Sequence, residues 1–147
     1  MSTIMIVGAT RGIGLELTKQ YANEGNQVIA CARDTANASL LNEVASGSEN
    51  IKIEQLDIAD AGSIESASSR IGEEAIDSVI IVAGWVGGMP DNQTIDNIDI
   101  DEWHNTLNIN TIGPLLVAKA FKSNLAASGN GNLMILSSQL AASTWPM

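Results

Sequence analysis

Short apolar runs alternate with segments whose apolar positions recur at helical spacing along the whole chain. TIMIV at 3–7 is a β-branched run closed by Gly8, and it reads as a buried strand. Ile13, Leu17 and Tyr21 follow at four-residue spacing, and Gly25 offers a helix C-cap. A second strand is expected at 28–32 and a short helix at 39–45. A third strand at 51–56 runs into Asp57. Asp60 is placed to cap a helix whose Ile64, Ala67 and Ile71 share one face. SVIIVA at 78–83 is the most apolar strand and suits the centre of a sheet. A loop rich in Gly and Asp (84–100) precedes a helical pair at 101–112 and 114–127, with a break expected at Gly113-Pro114. LMIL at 133–136 is a fifth strand. This alternation predicts a doubly wound α/β fold: a parallel sheet with right-handed crossovers and helices on both faces.

Composition narrows what such a domain does. The 147 residues fit one domain, 1–147, and 45% hydrophobic residues suffice for a core. Seven Lys+Arg against seventeen Asp+Glu give a formal charge of -10, which makes nucleic acid a poor partner. The N-terminus lacks the basic region of a signal peptide. No apolar window is long enough to span a membrane, so no membrane partner is expected. The lone Cys31 excludes an intrachain disulfide framework and makes a reducing, cytoplasmic location the default.

The strongest chemical signal joins the first strand to the first helix. Gly8, Gly12 and Gly14 permit a tight turn and close approach of a pyrophosphate to the helix N-terminus. A glycine-rich turn that binds nothing is the alternative, but the strand–loop–helix context favours a dinucleotide. No Gly-Lys-Ser/Thr follows, so this is not a Walker A loop. With Thr10-Arg11-Gly12-Ile13-Gly14, the G-x-x-x-G-x-G spacing resembles the cofactor loop of the short-chain dehydrogenase/reductase family. Four further segments carry the same resemblance in the family's order: Asp57-Ile58, Ala83-Gly84, Asn110-Thr111-Ile112-Gly113 and Ile135-Leu136-Ser137-Ser138. Ser137-Ser138-Gln139-Leu140 is most similar to the C-factor and sniffer-type carbonyl reductases. The resemblance implies a Rossmann-type sheet of five strands in order 3-2-1-4-5. It also implies cofactor contacts from Gly8, Thr10, Arg11, Gly12, Ile13, Gly14, Asp57, Ile58, Ala83 and Gly84, with Asp57 at the adenine amino group.

The second strand ends Cys31-Ala32-Arg33, without the carboxylate that would select NAD. Arg33, helped by Arg11, suits the 2′-phosphate of NADP, so NADP is expected over NAD. The competing reading pairs Arg33 with Asp34 in solvent. Asp57 likewise has a competing role as cap of the turn after the third strand.

Reducing a carbonyl by hydride transfer needs a proton donor and a group that orients the oxygen. The resemblance implies that Ser138 orients the carbonyl and that Asn110 anchors a water in a proton relay. It also implies a tyrosine acid and a lysine. The 147 residues contain no Tyr-x-x-x-Lys, and the single tyrosine is Tyr21 on the first helix. The expectation is therefore a C-terminally truncated Rossmann domain that keeps the adenine and pyrophosphate half of the site. The isolated chain is then expected to be incompetent in catalysis. His104 is expected in solvent, and Ile81-Val82 depart from the family's asparagines. Trp103, Leu107 and Asn110 fall on one helix face, which would make Asn110 a buried amide needing a partner. Ser138 could equally be a plain turn residue.

The acidic loop Asp91, Asp96, Asp99, Asp101, Glu102 lacks the EF-hand pattern, so no metal is expected. Trp85 and Trp145 either flank a cleft or cover core. Two functional readings remain. One is an NADP-dependent oxidoreductase, with a small carbonyl substrate only if the site is completed. The other is a non-catalytic dinucleotide-binding or interaction module. An apolar edge at 133–136 would favour a homo-oligomer, or cover by the tail 139–147.

Overall fold

The computed structural model describes residues 1–88 and 94–138. Expectations for Asp91, Trp145 and the tail 139–147 fall outside the described residues. Five parallel strands form one sheet: β1 (Thr3–Val7), β2 (Gln27–Ala32), β3 (Ile51–Gln55), β4 (Ser78–Ile81) and β5 (Asn132–Ile135). Their order is β3-β2-β1-β4-β5, so the middle strand is β1, and β4, entirely buried, lies beside it.

Alternation along β1 divides the core. Met5 and Val7 face Ile64, Ala67 and Ile71 of α3 (Ala61–Ile71), together with Val117 and Phe121. Ile4 and Ile6 face Leu15 and Ala22 of α1 (Gly12–Asn23) and Leu41 of α2 (Ser39–Ser46). Period-2 strands buried on both faces give near-continuous apolar runs, which is why the sequence pattern was so clear.

Helix ends follow local chemistry. The Gly25 N–H donates to the Ala22 carbonyl and that of Asn26 to Tyr21, with Gly25 at φ +82°; this double closure ends α1. Asp60 caps α3 by accepting from the Gly62 N–H at 2.8 Å. Asp99 caps α4 (Ile100–Leu107) through the N–H groups of Asp101 and Glu102. Part of the acidic loop thus does helix-capping work, and the described residues hold no metal-ligating cluster. Among them, no helix is long and apolar enough to cross a membrane.

The expected break at Gly113-Pro114 is not where the helix breaks. A π-helical turn (Asn108–Ile112) connects α4 directly to α5 (Gly113–Ala120). The Gly113 N–H reaches back five residues to the Asn108 carbonyl. Widening the helix there gives room for a proline ring that would clash with the carbonyl four residues earlier, and its missing N–H falls in the same turn. The break comes instead at Phe121, where φ is -102° and ψ 11°, before α6 (Lys122–Ala127).

Candidate functional site

The chain passes from β1 to α1 and from β4 to α4 on opposite sides of the sheet, and a crevice opens between them beyond the strands' C-terminal ends. A cleft of about 920 Å³ occupies it. Gly8, Thr10, Arg11, Gly12, Ile13, Arg33, Asp57, Ile58, Ala83 and Gly84 all line it. Of the expected cofactor residues, Gly14 alone does not, because it works underneath.

A Cβ on Gly14 would lie 2.0 Å from the Gly8 carbonyl oxygen, so only glycine lets α1 start so close to the loop. Gly8 itself has φ +96°, and a Cβ there would come within 2.7 Å of the Ala83 backbone nitrogen. The N–H groups of Gly8 and Ala9 are tied to the Cys31 carbonyl, at 3.2 and 3.0 Å, which fixes the turn against β2. No side chain caps α1, and its first turn carries no acid. Its N-terminal N–H groups and positive dipole end therefore suit an anion. Glycine cradle, uncapped helix and cleft together fit a dinucleotide.

At the far wall, Arg33 follows β2 and is exposed. It does not pair with Asp34. The Asp34 carboxylate accepts from the Asn37 backbone N–H at 3.1 Å and from its Nδ2 at 2.6 Å. Among the described residues the single ion pair is Arg70–Glu54, 2.6 Å, between α3 and β3. The Asn37 side-chain amide, then its backbone N–H, hold the Asp34 carboxyl below its ordinary value, with a smaller contribution from the charge of Arg33. Half-buried Asp57 does cap its turn: Oδ1 accepts from the Ala59 N–H at 3.0 Å, and its own N–H donates to Ser63 Oγ at 2.9 Å. It lines the cleft at the same time.

Asn110 corrects an expectation. It is exposed rather than buried, as are Trp103 and Leu107 of the same helical run. Both ends of its amide are nonetheless engaged by one residue. Oδ1 accepts from the Trp85 N–H at 2.9 Å, and Nδ2 donates to the Trp85 carbonyl at 2.6 Å. The π-helical turn thereby anchors the loop after β4, and the Trp85 indole N–H is held by Glu102. Gly113 serves the same wall: a Cβ there would sit 2.3 Å from the Ile58 carbonyl oxygen, directly behind the cleft. Ser138 lies three residues beyond β5, is exposed, and does not line the cleft, whereas Leu136 does.

Sequence reasoning missed the start of α2: Asn37, Ala38, Ser39 and Leu40 also line the cleft. The turn-forming Asp34-Thr35-Ala36-Asn37 after β2 was the available signal. Trp85, left between cleft and core, lines the cleft and is partly exposed.

Residues 2–147 match the family model described as short chain dehydrogenase. An uncharacterized oxidoreductase of Schizosaccharomyces pombe is 33% identical over 141 residues, covering 94% of this chain and 54% of the relative. Among solved structures, a carbonyl reductase from Pseudomonas aeruginosa PAO1 in complex with NADP is 32% identical. It superposes with a TM-score of 0.87 over 97% of this chain and 64% of its own. An NADPH-bound carbonyl reductase from chicken fatty liver is 30% identical, with a TM-score of 0.73 over 90% of this chain and 52% of its own. The chain thus spans about half the length of the curated relatives it matches.

Proposed function

The chain belongs to the short-chain dehydrogenase family, and on that premise we propose that its cleft binds NADP(H) in preference to NAD(H), as the cofactor for reduction of a small carbonyl compound once the site is completed; these 147 residues, which contain no Tyr-x-x-x-Lys, do not turn over alone. The observation that carries the cofactor choice is Arg33, which lines the cleft without a carboxylate partner among the described residues. A guanidinium so placed meets a 2′-phosphate through charge-assisted bonds that the 2′-hydroxyl of NAD cannot match. Arg11, which lines the same cleft, adds a second positive charge. The pyrophosphate would rest on the uncapped start of α1, and the adenine beside Asp57 and Ile58. Ala83 and Gly84 would flank the nicotinamide end.

When bound, the cofactor supplies the hydride. The chain's own residues bind and orient. Asn110 fixes the Trp85 loop that walls the nicotinamide end, and the family resemblance gives Ser138, which lies outside the cleft lining, the role of orienting the carbonyl oxygen once the site is completed. The NADP-bound carbonyl reductase neighbour supports both the cofactor and the substrate class. A reducing, cytoplasmic setting and the absence of a nucleic-acid partner belong to the same proposal, resting on the single cysteine and the charge of -10.

The test is a pair of titrations with NADPH and NADH, followed by tryptophan quenching. NADPH should bind more tightly. Arg33→Ala should weaken NADPH by roughly ten- to a hundredfold, as expected for one lost charge-assisted bond, and leave NADH nearly unchanged. Equal affinity of the unaltered chain for the two cofactors would overturn the reading.

A second reading, a binding module that self-associates, is favoured by one observation. The edge strand β5 exposes Leu133, Met134 and Ile135.

A further inference from the structure

We propose that Asn37 is a positioning residue for cofactor choice: by clasping the Asp34 carboxylate it keeps Arg33 open to the 2′-phosphate. This rests on the NADP reading above and extends it to a residue outside the glycine loop.

Asp34 is the acid next to Arg33 in sequence, and Arg33, Asp34 and Asn37 line one cleft. A carboxylate free to turn there would do two things. It would pair with the guanidinium, and it would repel a dianionic phosphate arriving at the same place. It would also offer an acceptor to the 2′-hydroxyl of NAD, the role an acid plays at the end of this strand in NAD-selective sheets.

Asn37 removes that freedom with two bonds, 3.1 Å from its backbone N–H and 2.6 Å from its Nδ2. The backbone bond survives substitution of the side chain, but the amide bond, the shorter of the two, does not. Arg33 and Asp34 remain near enough for the arginine's charge to act on the carboxyl, yet they form no ion pair. Losing the amide therefore frees the carboxylate of the residue next to Arg33, on the same cleft wall.

The experiment titrates NADPH and NADH into the unaltered chain, Asn37→Ala and the double variant Asp34→Asn/Asn37→Ala, with thermal unfolding recorded for each. Asn37→Ala should cut the preference for NADPH by roughly tenfold, about one charge-assisted contact, with NADH affinity unchanged or higher. The double variant should restore the preference, since without the charge no clasp is needed. An Asn37→Ala chain that keeps its preference overturns the proposal. So does a folded double variant that fails to regain it, because Asn37 would then act only by shaping the turn. An unaltered chain with no preference overturns the NADP reading itself, and that result is read before any variant is made.

Discussion

Cys31 lies on β2 with its thiol fully enclosed among Met5, Val7 and Ile29 and the side chains of α3. Burial pushes the thiol up, and the charge of Glu54 on the neighbouring strand adds to it, opposed in part by Arg70. The folded chain therefore keeps this proton at pH values where the unfolded chain, near its ordinary 9.0, has begun to lose it. Stability from this source is complete below that value and falls as pH rises above it, at up to ~1.4 kcal/mol per pH unit. Urea unfolding of the chain and of Cys31→Ala across alkaline pH should show a steeper fall for the native sequence. Parallel slopes would mean that the thiol is not held neutral. The same enclosure should leave Cys31 unreactive to thiol reagents until the chain unfolds.

At the scale of elements, Asn124 on α6 binds the α3–β4 connection to the helical layer. It is buried; its Nδ2 donates to the Gly72 and Glu74 carbonyls, both at 2.8 Å, and its backbone carbonyl accepts from the Ile76 N–H. Asn124→Ala keeps the last bond and strands two carbonyls, so it should cost about 2–4 kcal/mol in equilibrium unfolding. A loss below ~0.5 kcal/mol would show that water replaces the amide. No periodicity announces such a residue. The strands, their boundaries to within a residue or two, and the glycine loop were legible because they rest on short-range chemistry: burial on both faces, and glycine where a Cβ has no room. The π-helical turn was not legible. Gly113-Pro114 reads locally as a break, but the widened turn before it, with the Gly113 N–H on the Asn108 carbonyl, makes room for the proline ring, and Gly113 packs against Ile58 without a side chain. The site divides in the same way. Residues that touch the cleft through backbone were foreseeable, whereas the bonding choice of Asp34, toward Asn37 instead of Arg33, is set by a turn the sequence leaves open.

For the whole molecule, the two edges of the sheet behave oppositely. On β3, Lys52 and Gln55 face solvent, and the buried Glu54 is matched by Arg70, so a second sheet meets charge there. β5 offers Leu133 at 36% exposure, Met134 at 42% and Ile135 at 54%, with one side of its backbone unpaired by any strand among the described residues. The balance of forces is then simple: apolar edge pairing draws two copies together, while a charge of -10 on each holds them apart. Salt decides which prevails, because a Debye length of about 10 Å at 0.1 M shrinks to about 3 Å at 1 M. Sedimentation velocity should therefore show association that strengthens as sodium chloride rises, the reverse of an interface built on ion pairs. Ile135→Lys should abolish it by placing a charge on the exposed edge. A chain that stays monomeric at high concentration and high salt would remove β5 as an association surface, and with it the support for a self-associating module.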